Sequence, residues 1–305
     1  MENCINGAKK LIEEQMFGEG VSHGASFKPY GKTYFWTNEN INGYLNLVDL
    51  EGKDSALTVL ASGDHAFNLI QRGILNIDTF DTNLLTEFYS IELKRAIILK
   101  YNYEQYFSFM RILCSTNVSV DVLTDMIKGL FPYMSERSKT FWYEILEYNY
   151  KLQKHHGTWI NLIRLLCVNT NLHSDGINGY ALTEENYNAL RSNLSKTNIT
   201  FKEANAIELD ESFDKKYDCI MLSNILDYFD SHFGYGWAYS NLKYYEMRIQ
   251  KLAKNDALIF LHYIFWGGQN SRLIHDSDIY MSDLNGEEVL EIPNSCDAVL
   301  LKRIK

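Results

Sequence analysis

The chain has 305 residues, with 29 basic side chains against 39 acidic ones and a net charge of −10 at pH 7; that length suits one large domain or two modest ones. No Lys/Arg run breaks the acidity, which excludes a nucleic-acid partner held by a broad basic face and electrostatic docking to an anionic membrane. No stretch approaches the ~20 apolar residues of a membrane span, and residues 1–20 lack the apolar core of a secretory signal, so a cytoplasmic protein without stable membrane insertion is expected.

Residues 5–16 place Ile5, Ala8, Leu11, Ile12 and Met16 at helical spacing. A glycine-rich break follows at Gly18, Gly20 and Gly24, and then an aromatic loop from Phe27 to Trp36. Thr37 reads as the N-cap of a helix running to about Leu47, with Glu39 in its first turn. The loop either lids a ligand crevice or packs that helix onto the core through Tyr34, Phe35 and Trp36. Tyr34 and Thr37 are its candidate ligand contacts.

Leu57 to Leu60 reads as a buried strand, Ser62-Gly63-Asp64 as a tight turn, and the residues after it as a helix. A second strand, Leu75 to Phe80, ends in Asp81, 18 residues beyond Gly63. Folds that bind nucleoside cofactors use such a βαβ unit: the turn lets the ligand approach backbone, and an acid about 20 residues on takes the ribose hydroxyls. Only one glycine stands in the turn, so a pyrophosphate is disfavoured and a phosphate-free nucleoside fits better. The plain alternative is an ordinary strand-to-helix turn, with Asp81 capping the next helix.

A helical pattern runs from about Asn83 to Leu99 and continues with breaks to about residue 168. This is too long for one crossover and reads as a helical insertion at about 100–170, its aromatics forming either core or an apolar substrate pocket. Thr183 caps a helix through Leu194, and strands follow at Asn198–Glu203 and Lys216–Asn224. A helix at 241–254 precedes a strand at Asp256–Tyr263; Glu288–Ile292 and Ala298–Ile304 make a terminal hairpin about Pro293-Asn294. The order predicts an α/β fold: a Rossmann-like, doubly wound, mostly parallel sheet with a C-terminal antiparallel hairpin and a helical insertion after the second strand. Residues 1–50 are read as N-terminal helices with an aromatic lid, and 51–305 as the cofactor-binding domain.

The cysteines (Cys4, Cys114, Cys167, Cys219 and Cys296) are scattered and form no CxxC, which reads as buried thiols. The adjacent His155-His156 has no partner at metal-site spacing, so no metal is expected.

The strand order, the acid ending the second strand, Asn205-Ala206 after the third and Ser223-Asn224 at the fourth strand end resemble the class I S-adenosylmethionine-dependent transferase fold. More narrowly, Ala61-Ser62-Gly63-Asp64, Phe80-Asp81-Thr82-Asn83 and Ile91-Glu92-Leu93-Lys94 resemble the betaine-lipid synthase type of S-adenosylmethionine:diacylglycerol 3-amino-3-carboxypropyltransferase. Thr37 to Tyr44 and Leu222 to Ile225 are similar to segments of its uncharacterised bacterial relatives. The chain differs from the lipid enzymes in Asp64-His65 after the glycine and in lacking a basic amphipathic helix. The acceptor class therefore stays open between a small molecule and a lipid.

The resemblance implies S-adenosyl-L-methionine at the strand ends. Gly63 would let backbone approach the methionyl part, with Ser62 and Asp64 beside it as further cofactor contacts, Asp81 would accept from both ribose hydroxyls, Asn205 and Ala206 would meet the adenine, and Ser223 and Asn224 would face the sulfonium or the acceptor. Tyr228, His262 and Asp227 are the candidate bases by position after strand ends. The implied reaction is 3-amino-3-carboxypropyl transfer, with methyl transfer as the alternative and a non-catalytic nucleoside-binding protein as the contrasting class.

Overall fold

The computed structural model describes residues 1–18, 29–170, 178–234, 237–265, 287–295 and 297–305. Gly20, Gly24, Phe27 and Cys296 lie outside the described residues. The chain opens with α1 (Glu2–Phe17), a short β1 (Thr33–Tyr34) and α2 (Ile41–Leu45). The expected βαβ unit follows as β2 (Ser55–Val59), α3 (Asp64–Gln71) and β3 (Asn76–Asp81). Ala56, Leu57 and Thr58 of β2 are all buried, as a central parallel strand covered on both faces must be.

After β3 the single helix expected over 83–99 is two segments: a π-helical stretch, Glu87–Leu93, running directly into α4 (Lys94–Lys100). The helical insertion comprises α5 (Tyr103–Leu113), α6 (Val120–Lys128), α7 (Glu136–His156) and α8 (Leu162–Leu166). Gly157, at φ +63°, ends α7 in the left-handed conformation that suits glycine. Then come β4 (Cys167–Val168), α9 (Glu184–Leu194), β5 (Asn198–Glu203), α10 (Leu209–Ser212) and β6 (Tyr217–Met221). The chain finishes with α11 (Ile225–Phe233), α12 (Trp237–Gln250), β7 (Ala253–Ile264), β8 (Glu287–Glu291) and β9 (Ala298–Arg303). Thr183 caps α9 as expected, accepting from the Asn186 N–H.

Seven strands form one sheet in the order β5-β3-β2-β6-β7-β9-β8. The pairs β3–β5, β2–β3, β2–β6 and β6–β7 are parallel, and β9 runs antiparallel to both β7 and β8. The chain winds outward from β2 to β5, then returns to the other side of β2 as β6. The crevice at the carboxyl ends of β2 and β6 is thus the topological switch point, where open α/β sheets bind ligands.

One apolar core covers one side of the sheet and joins α1, α2, α3, α9 and the whole helical insertion. A smaller one lies under α11 and α12 on the other side. Tyr106, Phe109, Phe141 and Trp142 of the insertion are buried in the larger core, so these aromatics pack the protein and do not line a pocket. Ala8, Leu11 and Ile12 of α1 belong to the same core, which ties the first residues to the sheet.

Two features lay outside the sequence reading. β1 pairs in parallel with β4, so the return of the insertion is hydrogen-bonded to the aromatic loop. Phe35 and Trp36 of the loop are buried, while Tyr34 is half-buried and lines a cleft. The cap of α2 is also Asn40, which accepts from the Gly43 N–H, and Thr37 is not the cap. Buried Asp64 takes the Thr37 N–H at 2.7 Å, holding Thr37 out of the helix.

Among the described residues no helix is long and apolar enough to cross a membrane, and no three His, Cys, Asp or Glu side chains gather where a metal could be held.

Candidate functional site

A cleft of about 240 Å³ opens at the switch point. Its walls come from the aromatic loop, the ends of β2, β3 and β6, the turn after β5 and the first turns of α11. Of the residues expected at a site, Tyr34, Thr37, Ser62, Asp81, Asn205, Ala206, Ser223, Asn224 and Tyr228 line it. Val59, Phe80, Phe229 and Phe233 supply apolar wall.

Asp81 ends β3, and local backbone fixes its carboxylate. Oδ2 accepts from the Ala61 N–H at 3.0 Å, and Oδ1 from the Asn83 N–H at 2.9 Å. Burial pushes its pKa up to about 6, and the backbone donors at Asn83, Ala61 and Thr82 oppose that rise. The carboxylate is therefore ionised at neutral pH, and its oxygens keep acceptor capacity beyond these backbone bonds. Asn83 pins the loop above it, donating from Nδ2 to the Gly31 carbonyl at 2.9 Å.

The strand ends flanking the crevice are both unusual. Ala61 after β2 sits at φ +40° and Ser223 after β6 at φ +58°, a region that costs a non-glycine residue about 1 kcal/mol or more. The Ala61 carbonyl is held by Thr33 Oγ1 at 3.2 Å and by Ser90 Oγ at 2.6 Å. Such strain persists only where the surroundings over-determine it, and it clusters at functional sites.

Four expected site residues fall elsewhere. Gly63 does sit at φ +80°, but a Cβ there would meet the Ser90 carbonyl oxygen at 2.8 Å. Its close approach is to the π-helical turn, not to a ligand in the cleft. Asp64 is fully buried behind the turn, and its acceptor positions are taken. Oδ1 accepts from Lys94 Nζ and Tyr180 Oη, both at 2.8 Å; Oδ2 accepts from the Thr37 N–H and from Ser62 Oγ at 2.9 Å. A carboxylate with four donors has nothing left for a cofactor, so Asp64 is a bracing residue. Lys94 also donates to the Ser62 carbonyl at 2.7 Å and lies 4.5 Å from the centroid of Trp36.

His262 and Asp227 do not line the cleft. His262 faces the layer beneath α11, with Nε2 at 3.5 Å from Asp227 Oδ1. Burial pushes its pKa down to about 3, leaving an imidazole too weakly basic to take a proton from a nucleophile at neutral pH. Tyr228 does line the cleft and shares a 2.7 Å hydrogen bond with Tyr34 Oη. Burial raises its pKa, which keeps it a neutral hydroxyl suited to orienting a ligand. Asn205 makes the turn after β5, its Oδ1 accepting from the Ile207 N–H at 3.1 Å; its amide N–H groups and the second Oδ1 lone pair are left for a ligand.

Sequence reasoning passed over Glu39, His65 and Lys32, which also line the cleft. Glu39 and His65 are buried to 2% and 1% exposure, and His65 Nε2 lies 2.9 Å from Glu39 Oε2. The other Glu39 oxygen accepts from Ser223 Oγ. Lys32 is half-buried, its pKa lowered chiefly by burial, and its ammonium has no ion-pair partner among the described residues.

No family model matches the chain, and no curated protein matches it.

Proposed function

We propose that the chain is an S-adenosylmethionine-dependent transferase that moves the 3-amino-3-carboxypropyl group to a small-molecule or lipid acceptor. The observation that carries the reading is Asp81: an ionised carboxylate, held by backbone on its inner side and lining a cleft at the switch point of a parallel sheet. That arrangement suits a ribose diol, which offers two donors to one carboxylate. The cleft fits the rest of the molecule in kind. Ala204, Ala206, Ile225 and Phe229 make an apolar slot for a flat base, and Thr37, Ser62 and Ser223 make a polar end. Lys32 brings a positive charge that a carboxylate ligand could use.

A sulfonium activates each of its attached carbons toward nucleophiles, so the protein's task is to place one of them before the acceptor and to take up a proton. Preference for the aminocarboxypropyl carbon over the methyl rests on the family resemblance.

Titration calorimetry with S-adenosylmethionine, run beside Asp81→Ala, tests the proposal. Saturable binding that the substitution weakens roughly 10- to 100-fold, as expected for lost charge-assisted hydrogen bonds, supports it. No binding by folded protein overturns it. Product analysis then separates the chemistries: methylthioadenosine marks aminocarboxypropyl transfer, S-adenosylhomocysteine marks methyl transfer, and neither marks a binding protein.

A further inference from the structure

We propose that His65, held by Glu39, is the general base of the transfer, with Nδ1 as the atom that takes the proton; this rests on the transferase reading above. Three observations converge on it. First, His65 lines the cleft, stands in the first turn of α3 and is 1% exposed. Second, its Nε2 is committed to Glu39, whose other oxygen is taken by Ser223, so the carboxylate is fixed from two sides. Third, Nδ1 is buried with no hydrogen-bond partner among the described residues. An orphaned buried polar atom carries a desolvation cost that a ligand would relieve.

The tautomer follows from the pair. A carboxylate accepts and does not donate, so Nε2 carries the proton and Nδ1 keeps its lone pair. A carboxylate behind an imidazole fixes the ring's orientation and stabilises the imidazolium once formed. The acceptor's nucleophilic atom, an O–H or N–H, forms a bond to the carbon γ to the methionyl carboxylate as the bond from that carbon to sulfur breaks. The electron pair leaves on sulfur, giving the neutral thioether methylthioadenosine, and the acceptor's proton passes to His65 Nδ1. No further reactant is required.

The other groups around the pair do not compete. Asp64 and Lys94 neutralise one another at 2.8 Å. Tyr44, Tyr228 and Tyr263 all lie in the field of Glu39, and their pKa values are raised, chiefly by burial. They stay neutral at physiological pH.

Side-chain nitrogen NMR on the full-length protein tests this without an identified acceptor, with His65→Gln used only to assign the signal. The free protein should show His65 protonated at Nε2 and bare at Nδ1. At saturation with S-adenosylmethionine the Nδ1 signal should differ from that with S-adenosylhomocysteine, because a sulfonium charge facing a bare ring nitrogen polarises it and the uncharged thioether does not, while the Nε2 signal, set by Glu39, should differ less. A histidine that merely ties the loop to α3 would give the same Nδ1 signal in both complexes. The same Nδ1 signal with both ligands bound, or a proton resting on Nδ1, overturns the base assignment alone. Failure of both ligands to bind overturns the transferase reading and the assignment with it.

Discussion

Asp64 and Asp81 invite comparison. Asp64 follows the first strand of the βαβ unit and Asp81 ends the second, both are buried or half-buried, and both read from the sequence as candidate cofactor ligands. Their surroundings differ in what the chain itself supplies. Asp64 meets a lysine, a tyrosine, a serine and a backbone amide. Asp81 meets backbone N–H groups on one side and a cleft on the other. A carboxylate whose acceptors are filled internally braces a fold; one left part-filled at a crevice is available to a ligand.

The largest expected effect comes from breaking the first of these. Asp64→Ala leaves the Lys94 ammonium buried without its counter-ion, and should cost about 3–5 kcal/mol of stability in a urea unfolding experiment. Asp64→Leu combined with Lys94→Met removes both charges and should recover part of that loss. A mild effect of Asp64→Ala on stability, with a large one on ligand affinity, would reverse the roles assigned to the two acids.

Asp81 should show the opposite pattern, and pH separates its two contributions. Below about pH 4 the carboxyl is protonated in folded and unfolded chains alike. Between there and about 6 the folded chain holds a proton that the unfolded chain has released, so stability falls as pH rises. Above about 6 the whole cost is present, on the order of 3 kcal/mol or less. Asp81→Asn should lack this fall in thermal unfolding across pH 4–7. Affinity for S-adenosylmethionine should run the other way, strengthening through about pH 6 as the carboxylate ionises, and should be weak and flat in Asp81→Asn. Calorimetry at several pH values checks this.

The comparison also shows what a sequence exposes. The βαβ unit was legible because its signals are local: a buried apolar run, a glycine turn and a terminal acid, found at Ser55–Val59, Gly63 and Asp81. The sheet's terminal hairpin was legible for the same reason. β1 and β4 were not, since two-residue strands carry no period. The filling of Asp64 was hidden because its partners come from positions 37, 62, 94 and 180. Glu39 was already accounted for as a helix-start charge, and its bond to Ser223 spans 184 positions. His262 shows a subtler limit. Expected after a strand end, it lies inside β7, which runs to Ile264, and the register of β7 against β9 shifts between Phe260 and His262. In a period-two element such a shift changes which face a side chain takes.

The smallest expected effect concerns the turn that turns Asp64 inward. Gly52 and Gly63 sit at φ +74° and +80°, so alanine at either pays a similar backbone cost of about 1 kcal/mol. Their surroundings differ: nothing lies within 4 Å of a Cβ at Gly52, whereas one at Gly63 would meet the Ser90 carbonyl oxygen at 2.8 Å. Ser90 cannot yield freely, because its Oγ is bonded to the carbonyl of Ala61, whose N–H donates to Asp81. Gly63→Ala should therefore be less stable than Gly52→Ala by about 1 kcal/mol or more in chemical unfolding. The same strain, passed through Ser90 to Ala61, should weaken S-adenosylmethionine binding in Gly63→Ala and leave it untouched in Gly52→Ala. Equal stability in the two variants would mean that the π-helical turn can move away from Gly63, and that the seating of Ala61 against Asp81 does not depend on it.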